Sequence, residues 1–202
     1  MLELPLNTTK ILVHSCCAPC SGSIIEQLNK ENISCTILYY NPNIHPEAEY
    51  LKRKEEQKVL ATKMNVAFVA LEYAVDTWFS RIKGLENEPE RGRRCSICFQ
   101  MRLDKAAEYA HQNNFHLLTS TLGISRWKDM EQVNACGHKA AQKYPGLVYW
   151  AFNWRKKGGS QRMHEIAREN NLYKQTYCGC VYSQKSKHQK EAACCAPQKK
   201  SS

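Results

Sequence analysis

The chain has 202 residues, 43% of them hydrophobic, enough to bury one sizeable core, so a single domain is expected. Twenty-nine Lys and Arg against nineteen Asp and Glu leave a net charge of +10, which favours a polyanionic partner such as nucleic acid. No run of eighteen apolar residues is present, so no helix should span a membrane, and eleven cysteines without a basic start, an apolar run and a small-residue cleavage site point to a reducing, cytoplasmic setting where thiols stay free for metal or redox chemistry.

Ile11-Leu12-Val13 predicts a first strand leading into His14-Ser15-Cys16, with Ser21 or Ser23 as the cap of a helix carrying Ile24, Ile25 and Leu28. Cys35 to Tyr40 predicts a second strand, Asn41-Pro42-Asn43 a turn, Pro46 to Met64 a long charged helix and Val66 to Leu71 a third strand. The polar stretch Gly84 to Arg94 reads as a mobile loop that delivers Cys95 to a helix whose Phe99, Leu103, Ala106, Ala107 and Ala110 recur at helical spacing. Phe115 to Leu122 predicts a fourth strand, Val133, Gly137, Ala140, Ala141 and Tyr144 one helix face, and Leu147 to Phe152 a further strand. This alternation implies βαβ units in a single α/β domain over residues 8–184, with a mostly parallel, doubly wound sheet whose ligands sit beyond the carboxyl ends of the strands. Residues 185–202 read as a disordered basic tail, and Cys194 and Cys195 within it are not expected to be ligands.

Three thiol clusters carry the chemistry: Cys16-Cys17-x-x-Cys20, Cys95-x-x-Cys98 and Cys178-Gly-Cys180. Cys95 and Cys98 at a helix start, beside Arg91, Arg93 and Arg94, have the spacing that grips one metal, and the helix end and the arginines are expected to lower their thiol pKa values. Joined to the first cluster they offer enough sulfur for a four-thiolate zinc or an iron-sulfur centre, and spacing does not choose between them. Cys178 and Cys180, separated by one flexible residue, can close a small strained disulfide and store two electrons; extra metal ligation is nearly as good a reading. Cys35 and Cys136 fall on apolar faces and read as core. His14 beside the first cluster reads as a structural hydrogen-bonding group before a proton donor. Ser125-Arg126-Trp127-Lys128-Asp129 could stack on a base or bind phosphate, and Arg155-Lys156-Lys157 is a second basic run; an ordinary loop anchor and a solvated loop are the bland readings.

His14-Ser-Cys-Cys-Ala-Pro-Cys20, Tyr40-Asn-Pro-Asn-Ile-His-Pro46 with Glu49-Tyr50-Leu-Lys-Arg-Lys54, Arg94-Cys-Ser-Ile-Cys98 with Arg102-Leu103, and Tyr173-Lys-Gln-Thr-Tyr-Cys-Gly-Cys-Val-Tyr-Ser183 together resemble the QueH-type epoxyqueuosine reductases, from about Lys10 to Ser183. The resemblance implies an oxidoreductase that removes the epoxide oxygen of epoxyqueuosine in tRNA to give queuosine, without a corrinoid. It implies a [4Fe-4S] cluster on Cys16, Cys17, Cys95 and Cys98, a redox-active pair in Cys178 and Cys180, an additional iron whose ligands it does not assign (Cys20 and His14 are candidates by their closeness in sequence), tRNA as partner and an electron donor that it does not identify. Lys174 stands where the family pattern has Arg.

A sulfur-transferring, ATP-using tRNA enzyme of the nucleotide-hydrolase-like type is the closest rival, but its Ser-Gly-Gly phosphate loop is replaced here by His-Ser-Cys-Cys-Ala-Pro-Cys. A zinc-stapled RNA-binding module is the non-enzymatic alternative.

Overall fold

A computed structural model of the chain describes residues 2–125 and 128–184. Strands β1 (Lys10–Ser15), β2 (Ser34–Tyr39), β3 (Ala67–Ala70), β4 (Leu117–Ser120) and β5 (Val148–Tyr149) form one sheet in the order β3-β2-β1-β4-β5. Every adjacent pair is parallel, with Ser15 opposite Tyr39 at the carboxyl end of the β1–β2 ladder. Helices α1 (Ala18–Lys30), α2 (Glu47–Lys63), α3 (Val75–Ile82), α4 (Arg93–Gln112), α5 (Met130–Ala141) and α6 (Gly159–Glu169) cross over between and after the strands.

Strand β1 is central and buried along almost its whole length, which is why it reads as an apolar run rather than an alternating one. Its pleat splits the core in two. Ile11 and Val13 face Ile24, Ile25 and Leu28 of α1, while Leu12 faces Phe99, Leu103, Ala106 and Ala107 of α4. Each fully buried Leu, Ile or Phe contributes about 1.5–3 kcal/mol, so the two faces anchor β1 firmly under whatever its end presents.

Local starts and stops differ from the sequence expectation in instructive ways. Helix α1 begins at Ala18 with Cys17 as its cap, because Pro19 suits the first turn and Ser21 instead donates back to the Cys17 and Ala18 carbonyls at 3.3 and 3.1 Å. Strand β4 stops at Ser120, whose hydroxyl accepts the Leu122 N–H and turns the chain into a 3₁₀ turn at Thr121–Ile124. Helices α3 and α6 are additions to the elements that the sequence periodicity predicts; α6 lies so close to α1 that a Cβ at Gly22 would meet Ile166 Cγ2 at 2.7 Å. Arg126, Trp127 and the segment 185–202, with Cys194 and Cys195, lie outside the described residues. Among the described residues no helix is long and apolar enough to cross a membrane.

Candidate active site

The sheet order reverses at β1, which has β2 on one side and β4 on the other, and the crevice beyond such a point is where open α/β sheets bind ligands. The Cys16–Cys20 segment occupies that crevice. The Cys16 N–H donates to Thr121 Oγ1, just past β4, at 3.4 Å, and the Cys16 Sγ lies 3.7 Å from Cys17 Sγ. The sulfurs of Cys16, Cys17 and Cys20 all lie within 4.8 Å of one another. Hydrogen bonds from Cys17 and Cys20, with the charges of Lys128 and Arg102, hold the Cys16 thiol well below its ordinary range. Its partners respond in the opposite sense: the bond to Cys16 pushes Cys17 up to about 12 and raises Cys20. Negative charge in the trio therefore resides on Cys16. Below it, Gln57 Oε1 on α2 accepts from Ser15 Oγ and Ser21 Oγ at 2.7 and 2.8 Å, and both hydroxyls also face the Cys17 carbonyl.

Cys95 and Cys98 ride on the first turns of α4, as the sequence expects. The Arg91 N–H, in a left-handed backbone at φ 67°, donates to Cys95 Sγ at 3.3 Å. The expected lowering of their thiol pKa values is not what the structure gives. Burial pushes Cys95 up to about 12 and raises Cys98, with Arg102 only partly opposing the latter. The neighbouring Arg94 cannot compensate, because its Nη1 is turned onto the carbonyls of Leu85, Glu86 and Glu88 at 2.5–3.2 Å.

The C-terminal thiols dock beside this pair. Cys95, Cys98, Cys178 and Cys180 line a single pocket with Asn43 and Arg102. His45 N–H donates to the Gly179 carbonyl at 2.8 Å, Arg53 donates to the Cys178 and Tyr177 carbonyls, and the Tyr177 hydroxyl donates to the His45 carbonyl. Cys178 is exposed and Cys180 half-buried, both as free thiols. Burial raises the Cys180 pKa, while the Ser183 N–H donates to its sulfur at 3.4 Å. Arg102 links the two regions: its charge acts on both Cys16 and Cys98, and its Nη2 donates to Asn41 Oδ1 at 2.5 Å beyond β2. Cys95 packs against the core cluster that holds Cys16 and Cys17, whereas Cys98 packs with Tyr40, Trp78 and Met101; among the described residues neither joins the Cys16–Cys20 trio.

His14 is buried, with Nδ1 at 3.0 Å from Ser120 Oγ and Nε2 at 3.3 Å from the Tyr40 carbonyl. Burial, then Arg102, lowers its pKa to about 3, so the ring is neutral, donates from Nε2 and accepts at Nδ1. Both nitrogens are committed to the fold. Cys35 and Cys136 are core residues on opposite faces of the sheet. Arg155 is committed to backbone, donating to the carbonyls of Gly123, Ser125 and Lys128, which leaves the exposed Lys156 and Lys157 as the free charge of that run. Sequence reasoning missed Arg53, Gln57 and Arg102 as parts of the site; Arg53 and Arg102 lie inside the family-like motifs around Tyr50 and Cys98, whereas Gln57 lies outside them and gave no signal.

A doubly wound parallel sheet with a three-thiol group at its switch point, and four further thiols lining one pocket, defines a cysteine-rich α/β protein. The family model described as epoxyqueuosine reductase QueH matches residues 11–186, and the chain belongs to that family. It is 58% identical to epoxyqueuosine reductase QueH of Histophilus somni over 182 residues, which cover 90% of this chain and 75% of that one. Against its counterpart in Acinetobacter baylyi identity is 56%, covering 90% of this chain and 84% of the relative. The more distant relative of the same name in Thermotoga maritima is 29% identical, covering 90% and 94%. Among solved structures, the U34-tRNA thiolase NcsA from Methanococcus maripaludis with its [4Fe-4S] cluster shares the fold, with a TM-score of 0.53 at 10% identity, covering 92% of this chain and 65% of that protein.

Proposed function

We propose that this chain reduces epoxyqueuosine in tRNA to queuosine, the last step of that modification, and that the Cys178–Cys180 dithiol supplies the electron pair. The observation that carries the reading is the single pocket shared by Cys95, Cys98, Cys178 and Cys180, with Cys95 packed against the core that holds Cys16 and Cys17. Family membership and the net charge of +10 support a tRNA substrate and, with it, a cytoplasmic setting.

Removing an epoxide oxygen consumes two electrons and two protons and leaves an alkene and water. The dithiol matches that balance: the two S–H bonds break, an S–S bond forms, and two electrons and two protons are released. Cys180 is suited to keep its proton on Sγ until that moment, because burial opposes ionisation. The exposed Cys178 is the sulfur that an external thiol reductant can attack to restore the pair. Arg102, with Asn43, lines the same pocket and offers a fixed positive charge where a departing oxygen would gain negative charge.

The donor set fits an iron-sulfur centre. Cys16 is held toward its thiolate, Cys95 receives a backbone N–H at sulfur, and Arg102 and Lys128 offset negative charge. Cys16, Cys17, Cys95 and Cys98 would hold a [4Fe-4S] cluster, with Cys20 left beside it as a thiol for an additional iron. When bound, such a centre supplies one-electron transfer and a Lewis acid for oxygen.

The test is anaerobic purification, iron and sulfide analysis, and incubation with epoxyqueuosine-containing tRNA and a dithiol reductant. Wild-type protein should carry iron and convert the tRNA over many turnovers; Cys178→Ser with Cys180→Ser should keep its iron and lose turnover. Full multiple-turnover activity in that double variant would remove the dithiol from the reaction, and an iron-loaded wild type that leaves epoxyqueuosine intact would overturn the whole assignment.

A further inference from the structure

The buried face of α2 carries Arg53 and Gln57 one helical turn apart, and each holds a different thiol segment. Gln57 braces Ser15 and Ser21 around Cys16–Cys20. Arg53, its side chain 1% exposed, reaches the other way: Nη1 donates to the Cys178 carbonyl at 3.2 Å, Nη2 to the Tyr177 carbonyl at 3.3 Å, and Nε to Glu49 Oε1 at 2.7 Å. Its guanidinium also lies 5.3 Å from the Tyr177 ring centre, and its charge faces Cys17.

Gly179 is pressed onto this support. At φ 129° it occupies a region that side chains rarely adopt, and a Cβ there would come within 3.0 Å of Ile44 Cγ1 and 3.3 Å of Arg53 Nη1. Its carbonyl is taken by the His45 N–H. Desolvating a guanidinium is costly, and an apolar side chain would dock a loop more cheaply. What Arg53 adds is a rigid fork that fixes two successive carbonyls.

We infer that Arg53 is a positioning residue for the Cys178–Cys180 pair: by gripping the backbone before Gly179 it holds the segment in its dithiol geometry and so sets how readily the pair closes to a disulfide. The inference rests on the redox reading of that pair. Closing a Cys-Gly-Cys ring bends the chain at Gly179, against the bonds from Arg53 and His45. The clamp therefore favours the reduced form. In a glutathione buffer the exchange is balanced: the dithiol gives two electrons and two protons to oxidised glutathione, forming the protein disulfide and two glutathione thiols.

The experiment uses the full chain, purified anaerobically, equilibrated in glutathione buffers and trapped by alkylation. The tryptic peptide 175–185 contains Cys178 and Cys180 and no other cysteine, so its oxidation is read directly by mass spectrometry. Arg53→Lys keeps the charge but loses the fork, and its equilibrium should move about tenfold toward the disulfide, with kcat down about tenfold and KM for the tRNA within twofold. Glu49→Gln, which loosens the guanidinium while leaving it in place, should shift the equilibrium in the same direction by a smaller factor, and it decides the matter if Arg53→Lys does not fold. An equilibrium within twofold of wild type in a folded variant, or a shift toward the dithiol, overturns the inference. The equilibrium is read without substrate, so that failure is separable from failure of the dithiol chemistry, which the double serine variant tests.

Discussion

Gln57 Oε1 accepts the Ser15 hydroxyl at 2.7 Å, tying the middle of α2 to the residue that joins β1 to Cys16. The same oxygen holds Ser21 in the first turn of α1, so one amide fixes both ends of the first thiol segment. Gln57→Leu keeps the volume and removes both bonds, leaving two buried hydroxyls with only their weaker bonds to backbone carbonyls. The expected loss is about 1–3 kcal/mol of unfolding free energy. Urea denaturation at neutral pH measures it, and a change under about 0.5 kcal/mol would show that the amide only fills space.

Replacing Cys16, Cys17, Cys95 or Cys98 singly by Ser should each lower bound iron and the visible absorption of anaerobically purified protein, because a hard hydroxyl is a poor substitute for thiolate. Cys35→Ala should keep its iron and lose only about 1 kcal/mol of packing, as its thiol sits in the core on the other face of the sheet, and Cys136→Ala, whose Sγ lies 3.6 Å from the Ser96 carbonyl between Cys95 and Cys98, should also keep its iron if it is not a ligand. Iron retention in the first group, or iron loss in the second, would redraw the ligand set.

Much of this was legible beforehand. The apolar runs at Ile11–Val13 and Cys35–Tyr40 and the helical spacing around Leu103 are periodic signals of elements buried on one or both faces, and β1, β2 and α4 fall where those signals lie. The thiol motifs were visible as spacings. What the pattern hid was direction. Arg53 and Gln57 sit in a helix so rich in Lys and Glu that any polar residue reads as solvated, and their burial comes from segments 36 and more than 120 residues away in sequence. Arg94 likewise looked like a charge for the thiols, yet its guanidinium is spent on three carbonyls. Propensity and spacing carry no information about such long-range polar contacts.

Acid should destabilise the protein in part through His45. Its ring is packed between Trp78 and Phe79, neither nitrogen has a hydrogen-bond partner among the described residues, and burial lowers its pKa from 6.5 to about 4. A folded-state pKa below the unfolded one means that the unfolded chain binds the proton first. The stabilisation is complete above pH 6.5 and is lost progressively as pH falls toward 4. His45→Phe keeps the aromatic contacts and the backbone N–H, so it should be no less stable than wild type at pH 7 and should show a shallower fall between pH 7 and 5. Equal slopes in urea denaturation for the two proteins would exclude His45 as a source of acid sensitivity.

Arg94 governs the loop that carries Cys95. Its guanidinium is buried, its Nη1 faces the carbonyls of Leu85, Glu86 and Glu88, and its plane lies 4.8 Å from the Tyr182 ring centre in the segment after Cys180. The same side chain thus braces the approach to one thiol pair and packs on the exit from the other. Arg94→Ala would leave those carbonyls to water or unpaired, costing about 2–4 kcal/mol locally, while Arg94→Lys can satisfy a single carbonyl at best and should fall between. Because the bonds are confined to residues 85–88, the loss should appear there first. Faster amide exchange and limited proteolysis across 84–92, with protection in β1 and α4 unchanged, is the expected result; a uniform loss of protection across the sheet would mean that Arg94 supports the whole domain and not this loop.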